Sequence, residues 1–105
     1  PLIWQVHVDD TLRQYIINLV FATRRHKDIV LGASPRGSLA LYRAAQAYAA
    51  LQGRDFVLPD DVKKLTVPVL AHRCLVHPES ALRGIKIATV LTDILAETPL
   101  EIGEL

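Results

Sequence analysis

Apolar residues recur along most of this 105-residue chain at helical spacing, in four separate runs. In the first, Leu12, Tyr15, Ile16, Leu19, Val20 and Thr23 follow the i, i+3, i+4 rhythm that lays one stripe along a helix. The stripe predicts a helix from about Asp10 to Arg24, with Asp9 as its cap. The second run predicts a helix from Pro35 to about Gln52, stopped by Gly53. It is apolar nearly all round, with Leu39, Leu41, Ala44, Ala45, Tyr48 and Leu51 on one side and Ala40, Ala47 and Ala50 elsewhere. Small alanines let neighbours approach closely, so this is expected to be the central helix. The third opens at Pro59, with Asp60 and Asp61 in the first turn where acids are favoured, and Val62, Leu65 and Val69 form its stripe. Pro68 falls inside that pattern and predicts a kink or break near Thr66–Val67. The fourth covers about Glu79 to Glu97, with Ile87, Val90, Leu91, Ile94 and Leu95 buried, and Pro99 ends it.

Two segments read as extended. Gln5-Val6-His7-Val8 alternates, and Phe56-Val57-Leu58 is β-prone and held off helix by Pro59. They are expected to pair as a small patch, with Cys74-Leu75-Val76 as a second candidate strand. The fold class is therefore mostly α, a small bundle of about four helices with a minor two- or three-stranded β patch. Leu100 to Leu105 is expected to be frayed, or to belong to a contact outside the chain.

Composition narrows the class. The length suits one domain with a modest core, here spanning residues 1–105. Half the residues are hydrophobic and 22% are charged, which excludes a disordered chain. A net charge of +1 argues against a dedicated nucleic-acid binder. A single cysteine, Cys74, cannot form an internal disulfide, so a reducing cytoplasm is the simpler expectation. No apolar run approaches the ~18 residues of a membrane span, and no signal-peptide pattern precedes the first helix. There is no methionine and the chain starts at Pro1, so it is expected to be a piece of a longer protein.

The candidate chemistry lies at Gly32-Ala33-Ser34-Pro35-Arg36. Ser34 is a good N-cap and Pro35 fits the first helical position. Arg36 is then a cation at the positive end of a helix, and Gly37, Ser38, Leu39 and Ala40 bring no acid to offset it. A cation beside free backbone N–H groups suits an anion, phosphate above all.

Five motifs in register sharpen that reading: Ala22-Thr23-Arg24, Gly32 to Arg36, Gly53-Arg54-Asp55-Phe56-Val57, Pro59-Asp60-Asp61-Val62 and Val69-Leu70-Ala71-His72-Arg73. Together they resemble the C-terminal helical lid of a MoxR-type AAA+ ATPase, over roughly residues 6–77. The resemblance implies a small helical bundle packed over a nucleotide held by a preceding α/β domain. It implies that Arg36 is the sensor 2 arginine reaching the ATP phosphates, aimed by Gly32, Ala33, Ser34 and Pro35. It further implies ATP and Mg²⁺ in the intact protein, a homo-oligomeric ring, and chaperone-like remodelling or metal-loading of client proteins, some with von Willebrand A-type domains. Residue 37 is Gly where the family more usually has Ala, a change that weakens a helix by up to ~1 kcal/mol. No phosphate-cradling Gly-x-x-x-x-Gly-Lys-Ser/Thr loop and no acidic Walker B strand occur in these 105 residues. The fragment is therefore expected to bind no cofactor and to hydrolyse nothing alone, the parent supplying catalysis. Beyond Pro78 the resemblance fades.

Other features have two readings each. Arg54-Asp55 is either an interface contact or a local ion pair fixing the Gly53 turn. Arg24-Arg25-His26-Lys27 either suits a helix C-terminus or meets an acidic surface of a ring neighbour, which makes Arg24, Arg25 and Arg54 candidate interface residues. His72, Cys74 and His77 are spaced H-x-C-x-x-H, but a closed zinc site needs four ligands, so no metal is expected and His72 is assigned to packing or capping. The rival to the lid reading is a stand-alone interaction module or a DNA-binding domain with Ser34–Gln52 as recognition helix. Its alanine-rich, near-uniform surface offers no polar face for a groove.

Overall fold

The helix starts written into the sequence are realised in the computed structural model, which describes residues 2–101. Helix α1 spans Asp10–Thr23, and the Asp9 carboxylate accepts from the Thr11 N–H at 3.1 Å and the Thr11 hydroxyl at 2.6 Å. Helix α2 spans Pro35–Leu51 behind the Ser34 cap, and α3 spans Pro59–Leu70 with Asp60 and Asp61 in its first turn. The chain continues through a short 3-10 turn, Ala71–Arg73, to α4 at Pro78–Leu82 and α5 at Ile87–Glu97. The stripe of α1 is buried as expected, and it packs with Leu41, Ala45 and Ala49 of α2, Val62 and Leu70 of α3, and Val90, Leu91 and Ile94 of α5.

Glycine sets two of the stops. Gly53 and Gly84 have φ of +78° and +86°, the left-handed region that costs glycine least. At each, the same pair of bonds closes the helix end: Gly53 N to Ala50 O and Arg54 N to Ala49 O, both 2.9 Å, and Gly84 N to Ala81 O and Ile85 N to Ser80 O, both 3.0 Å. The second stop corrects the expectation of one helix over Glu79–Glu97. Arg83-Gly84 ends α4, and α5 begins afresh at Ile87. Conversely, α3 runs through Pro68 without a break. Pro68 and Lys64, whose carbonyl loses its bond, both lie on the exposed side, where water accepts from nothing but can donate to that carbonyl.

The sheet is also rearranged. Residues 5–8 and 56–58 meet only at one parallel bridge, His7 to Phe56, held by His7 N to Asp55 O at 2.8 Å and Val57 N to His7 O at 2.9 Å. The two-stranded sheet is instead β1, Ile29–Leu31, antiparallel to β2, Leu75–Val76, which was the second candidate strand. Ile29 faces Val76 and Leu31 faces Leu75, so Val30 is the extra residue of a bulge.

Buried polar groups lock these pieces. Gln46 on α2 donates to the Val6 carbonyl and accepts from Arg43, both at 2.8 Å. Its burial turns α2 away from the expected phase, leaving Leu39 56% and Leu51 83% exposed. The buried Asp28 carboxylate accepts from the Ser80 hydroxyl at 2.7 Å, with the Arg83 guanidinium 3.6 Å away, and so ties the approach to β1 to α4. Leu100 packs against the core, while residues 102–105 of the expected frayed tail lie outside the described residues.

Arg54 answers one of the open readings. Its partner is Asp61, not the neighbouring exposed Asp55: two N–H groups reach the two carboxylate oxygens at 2.8 Å each, and one also reaches the Phe56 carbonyl at 3.0 Å. Asp61 additionally accepts from the Leu58 N–H at 2.7 Å. Burial works to raise the Asp61 pKa, but the Arg54 hydrogen bonds, the Leu58 amide and the Arg54 charge outweigh it and hold the carboxyl below its ordinary value. The clamp fastens the end of α2 to the start of α3.

Gly32, between β1 and α2, has a different reason to be glycine. A Cβ there would stand 2.6 Å from the Arg24 Cα and 2.7 Å from the Arg24 N and the Thr23 carbonyl carbon. Those are backbone atoms at the end of α1, which cannot swing aside.

Two stability predictions follow from these contacts. Gly32→Ala forces backbone apart and is expected to cost about 3 kcal/mol or more, read as a fall in thermal midpoint. For Asp61, the folded carboxyl titrates below the unfolded one, so its contribution is complete above the unfolded pKa and is lost as pH falls through the folded value. Asp61→Asn is therefore expected to lower the melting temperature most near neutral pH, with the gap to wild type closing as the pH falls below the ordinary carboxylate range. A gap that stayed constant across that range would assign the loss to packing.

Candidate functional site

The end of α1 and the start of α2 build one site. Thr23, fully buried, closes α1 by donating its hydroxyl to the Val20 carbonyl at 2.6 Å. The same oxygen accepts from the Ala33 N–H at 2.9 Å. That relay, with the close approach at Gly32, fixes where the chain leaves β1. Cys74 lies under the same turn, within reach of Thr23 and Ala33, and burial pushes its thiol pKa up. A buried neutral thiol packs as a small hydrophobe.

Ser34 then caps α2 as its sequence predicts, its Oγ accepting from the Arg36 N–H at 3.2 Å. Pro35 takes the first helical position, and no acid occupies the first turn. Arg36 is exposed, and among the described residues its guanidinium has no hydrogen bond, ion pair or aromatic contact. Gly37, one residue on, is buried. A Cβ there would stand 3.0 Å from the Ala33 Cβ, 3.4 Å from Leu70 Cδ2 and 3.7 Å from Arg73 Cδ. The helix weakening expected of this glycine thus has a counterpart in packing, because the first turn of α2 sits tightly on its own cap and on the end of α3.

Exposed apolar side chains adjoin this turn. Leu31, immediately before Gly32, is 57% exposed, and its cross-strand partner Leu75 is 58% exposed. Val30 and Leu39 are also more than half exposed.

The remaining candidates scatter. Arg24 and Arg25 are exposed at the end of α1, with the Arg25 guanidinium 5.3 Å from the Phe21 ring centroid. Arg54 is held by Asp61 at the opposite end of α2 from Arg36. His72 is exposed, which contradicts the packing half of its packing-or-capping assignment, while Cys74 is buried; among the described residues no three His, Cys, Asp or Glu side chains gather as a metal would need. Among the described residues, no helix is long and apolar enough to cross a membrane. Two residues that build the site were not singled out for it in the sequence. Thr23 appeared there as an apolar-stripe member and in the Ala22-Thr23-Arg24 motif, although a hydroxyl on a buried stripe is itself a signal that it bonds something. Arg73 was read only as part of a motif.

Comparison with known proteins agrees with this architecture. The family model described as the AAA lid domain matches residues 21–94, and so extends past Pro78, where the sequence motifs fade. Protein YeaC of Bacillus subtilis is 45% identical over 91 residues, which cover 87% of this chain and 28% of YeaC. Chaperone MoxR1 of Mycobacterium tuberculosis is 33% identical over 97 residues, covering 84% of this chain and 26% of MoxR1. The crystal structure of a "putative ATPase" from Cytophaga hutchinsonii superposes with a TM-score of 0.91 at 34% identity, over 95% of this chain and 33% of that one. The chain thus spans between a quarter and a third of the length of these relatives. With the motifs in register, the model matched over most of its length and the same fold in a solved relative, the chain belongs to the AAA lid domain family, as a lid of the MoxR-type AAA+ ATPases.

Proposed function

We propose that residues 1–105 are one lid domain whose Arg36 senses ATP held by a preceding nucleotide-binding domain of the same protein. The observation that carries this reading is a free guanidinium on a rigidly anchored turn. Arg36 has no partner among the described residues, yet the backbone beneath it is fixed by Gly32, the Thr23–Ala33 bond and the Ser34 cap. A charge held in place without an internal partner is preorganised for a ligand, and an arginine fork suits phosphate oxygens. The exposed Leu31, Leu75, Val30 and Leu39 support the same reading, since an apolar surface beside the motif suits the face of an adjoining domain.

In this mechanism ATP and Mg²⁺ are held by the parent's nucleotide domain, and Arg36 completes the phosphate site when the lid closes. The positive charge is worth most where negative charge spreads over the transferring phosphoryl oxygens. Loss of that phosphate removes the contact and releases the lid, which turns as a rigid body. In a ring of copies the turn passes to a client, as chaperone-like remodelling or metal-loading, with von Willebrand A-type proteins as the partner class and the cytoplasm as the setting. Arg24 and Arg25 are the candidate contacts to a ring neighbour. Arg54 keeps that role only through its outer edge, since its fork is engaged by Asp61.

Three variants of the full-length protein test the sensor role. Arg36→Ala is expected to leave the melting temperature within error and to lower ATP turnover roughly tenfold or more, the value of one charge-assisted contact. Arg36→Lys is expected to recover part of it, keeping charge but losing the planar fork. Leu41→Ala, which removes a fully buried side chain, is expected to cost about 2–5 kcal/mol of stability and to lower activity only through unfolding. Full turnover in Arg36→Ala would end the sensor assignment. For the isolated chain, one arginine contact of roughly 1.5–3 kcal/mol falls short of the ~4 needed for millimolar binding. Titration calorimetry is expected to find no saturable ATP site below several millimolar.

A further inference from the structure

The chain has eight arginines, at positions 13, 24, 25, 36, 43, 54, 73 and 83, and their partners divide them sharply. Arg13 pairs with Asp10, Arg25 lies over Phe21, Arg43 bonds Gln46, Arg54 is held by Asp61, and Arg83 stands near Asp28 and Ser80. Among the described residues, Arg24, Arg36 and Arg73 have no such partner. Those same three border the segment from Gly32 to Gly37. Arg24 touches it through backbone at Gly32, Arg36 is part of it, and Arg73 lays its side-chain stem on it, with Cδ 3.7 Å from the Cβ position of Gly37.

We infer that Arg73 is a second phosphate-contacting arginine, acting beside Arg36 on the same nucleotide. The inference rests on the sensor reading of Arg36 and extends it to a residue on a different element. Arg73 comes from the 3-10 turn after α3, so its approach is set by tertiary packing and not by the start of α2. Leu70, fully buried and one turn earlier, meets the same Gly37, with Cδ2 3.4 Å from the Cβ position, and this anchors the turn that carries Arg73. The Cys74 thiol, beside Thr23 and Ala33, holds the chain on the other side of Arg73. Arg73 is thus pinned fore and aft while its guanidinium stays exposed. Two cations that border one turn, neither paired with a carboxylate among the described residues, suit an anion that lies against both. A triphosphate has the charge and the number of oxygens to take two forks.

The test uses the full-length protein, with a fluorescent ATP analogue and adenosine as probes, and a melting curve for every variant. Arg73→Ala is expected to weaken the ATP analogue about tenfold, to leave adenosine affinity unchanged and to keep the melting temperature. Arg73→Lys is expected to recover part of the loss. Because both arginines grip one anion, Arg36→Ala with Arg73→Ala is expected to lose less than the product of the single effects. Arg13→Ala, a surface arginine paired to Asp10, controls for net charge and should bind as wild type. The inference is overturned if Arg73→Ala binds the analogue normally, if adenosine and the analogue weaken alike, or if the loss only tracks a fall in melting temperature. If Arg36→Ala weakens binding and Arg73→Ala does not, the sensor reading stands and this extension fails. The reverse result would leave Arg73 as the phosphate arginine and end the assignment to Arg36.

Discussion

Everything at the candidate site depends on how closely the loop after β1 can approach the end of α1. Gly32 lies against the backbone of Thr23 and Arg24 with no room for a single carbon. That proximity brings the Ala33 N–H to the Thr23 hydroxyl, so one buried oxygen closes α1 and positions the turn that opens α2. A loop would ordinarily be the loosest part of a fold. Here it is held closely, because the Ala33 N–H is bonded internally and the neighbours of Gly32 are main-chain atoms. The arginines around it inherit that order.

The far end of α2 is organised by charge. A buried carboxylate is costly unless nearly all its hydrogen-bonding capacity is used. Asp61 meets that condition through both N–H arms of Arg54 and the Leu58 amide. Asp28 does the same work between β1 and α4 with Ser80 and Arg83. Asp61 pins the ends of two helices that already share apolar packing, whereas Asp28 supplies a polar tie that helps hold the short α4 in place.

Much of this was readable in the residues. Asp9, Ser34 and Pro59 announce helix starts by local chemistry, and local chemistry is what a sequence displays most directly. The stripe of α1 carried its burial correctly for the same reason. The misreadings have tertiary causes. Gly84 falls inside the single helix expected over Glu79–Glu97, and its φ of +86° with two closing bonds makes it a stop. Strand β1 has three residues and a bulge, too short for alternation to register. The phase of α2 was ambiguous because alanines cover most of its surface, and the decision fell to Gln46, a polar residue drawn inward by the Val6 carbonyl. The local-pair reading of Arg54 looked to its sequence neighbour Asp55, because the seven-residue separation from Asp61 closes only when the loop after Arg54 brings in the first turn of α3. At the site itself, Ser34, Pro35 and Arg36 were legible from their order, whereas Thr23 and Arg73 reach it across space.

The length of α2 has a mechanical meaning. Its 17 residues span about 25 Å, with Arg36 at one end and the joint to α3 at the other. A rod of that length converts angle into distance: a tilt of about 5° about the Arg36 end moves the other by about 2 Å. Because Arg54 grips Asp61 by a two-pronged bond at one end and Leu70 lies against Gly37 at the other, α3 runs back alongside α2 and travels with the rod. A displacement too small to disturb the core at one end therefore becomes, at the other, a shift as large as half the spacing between two strands of a sheet.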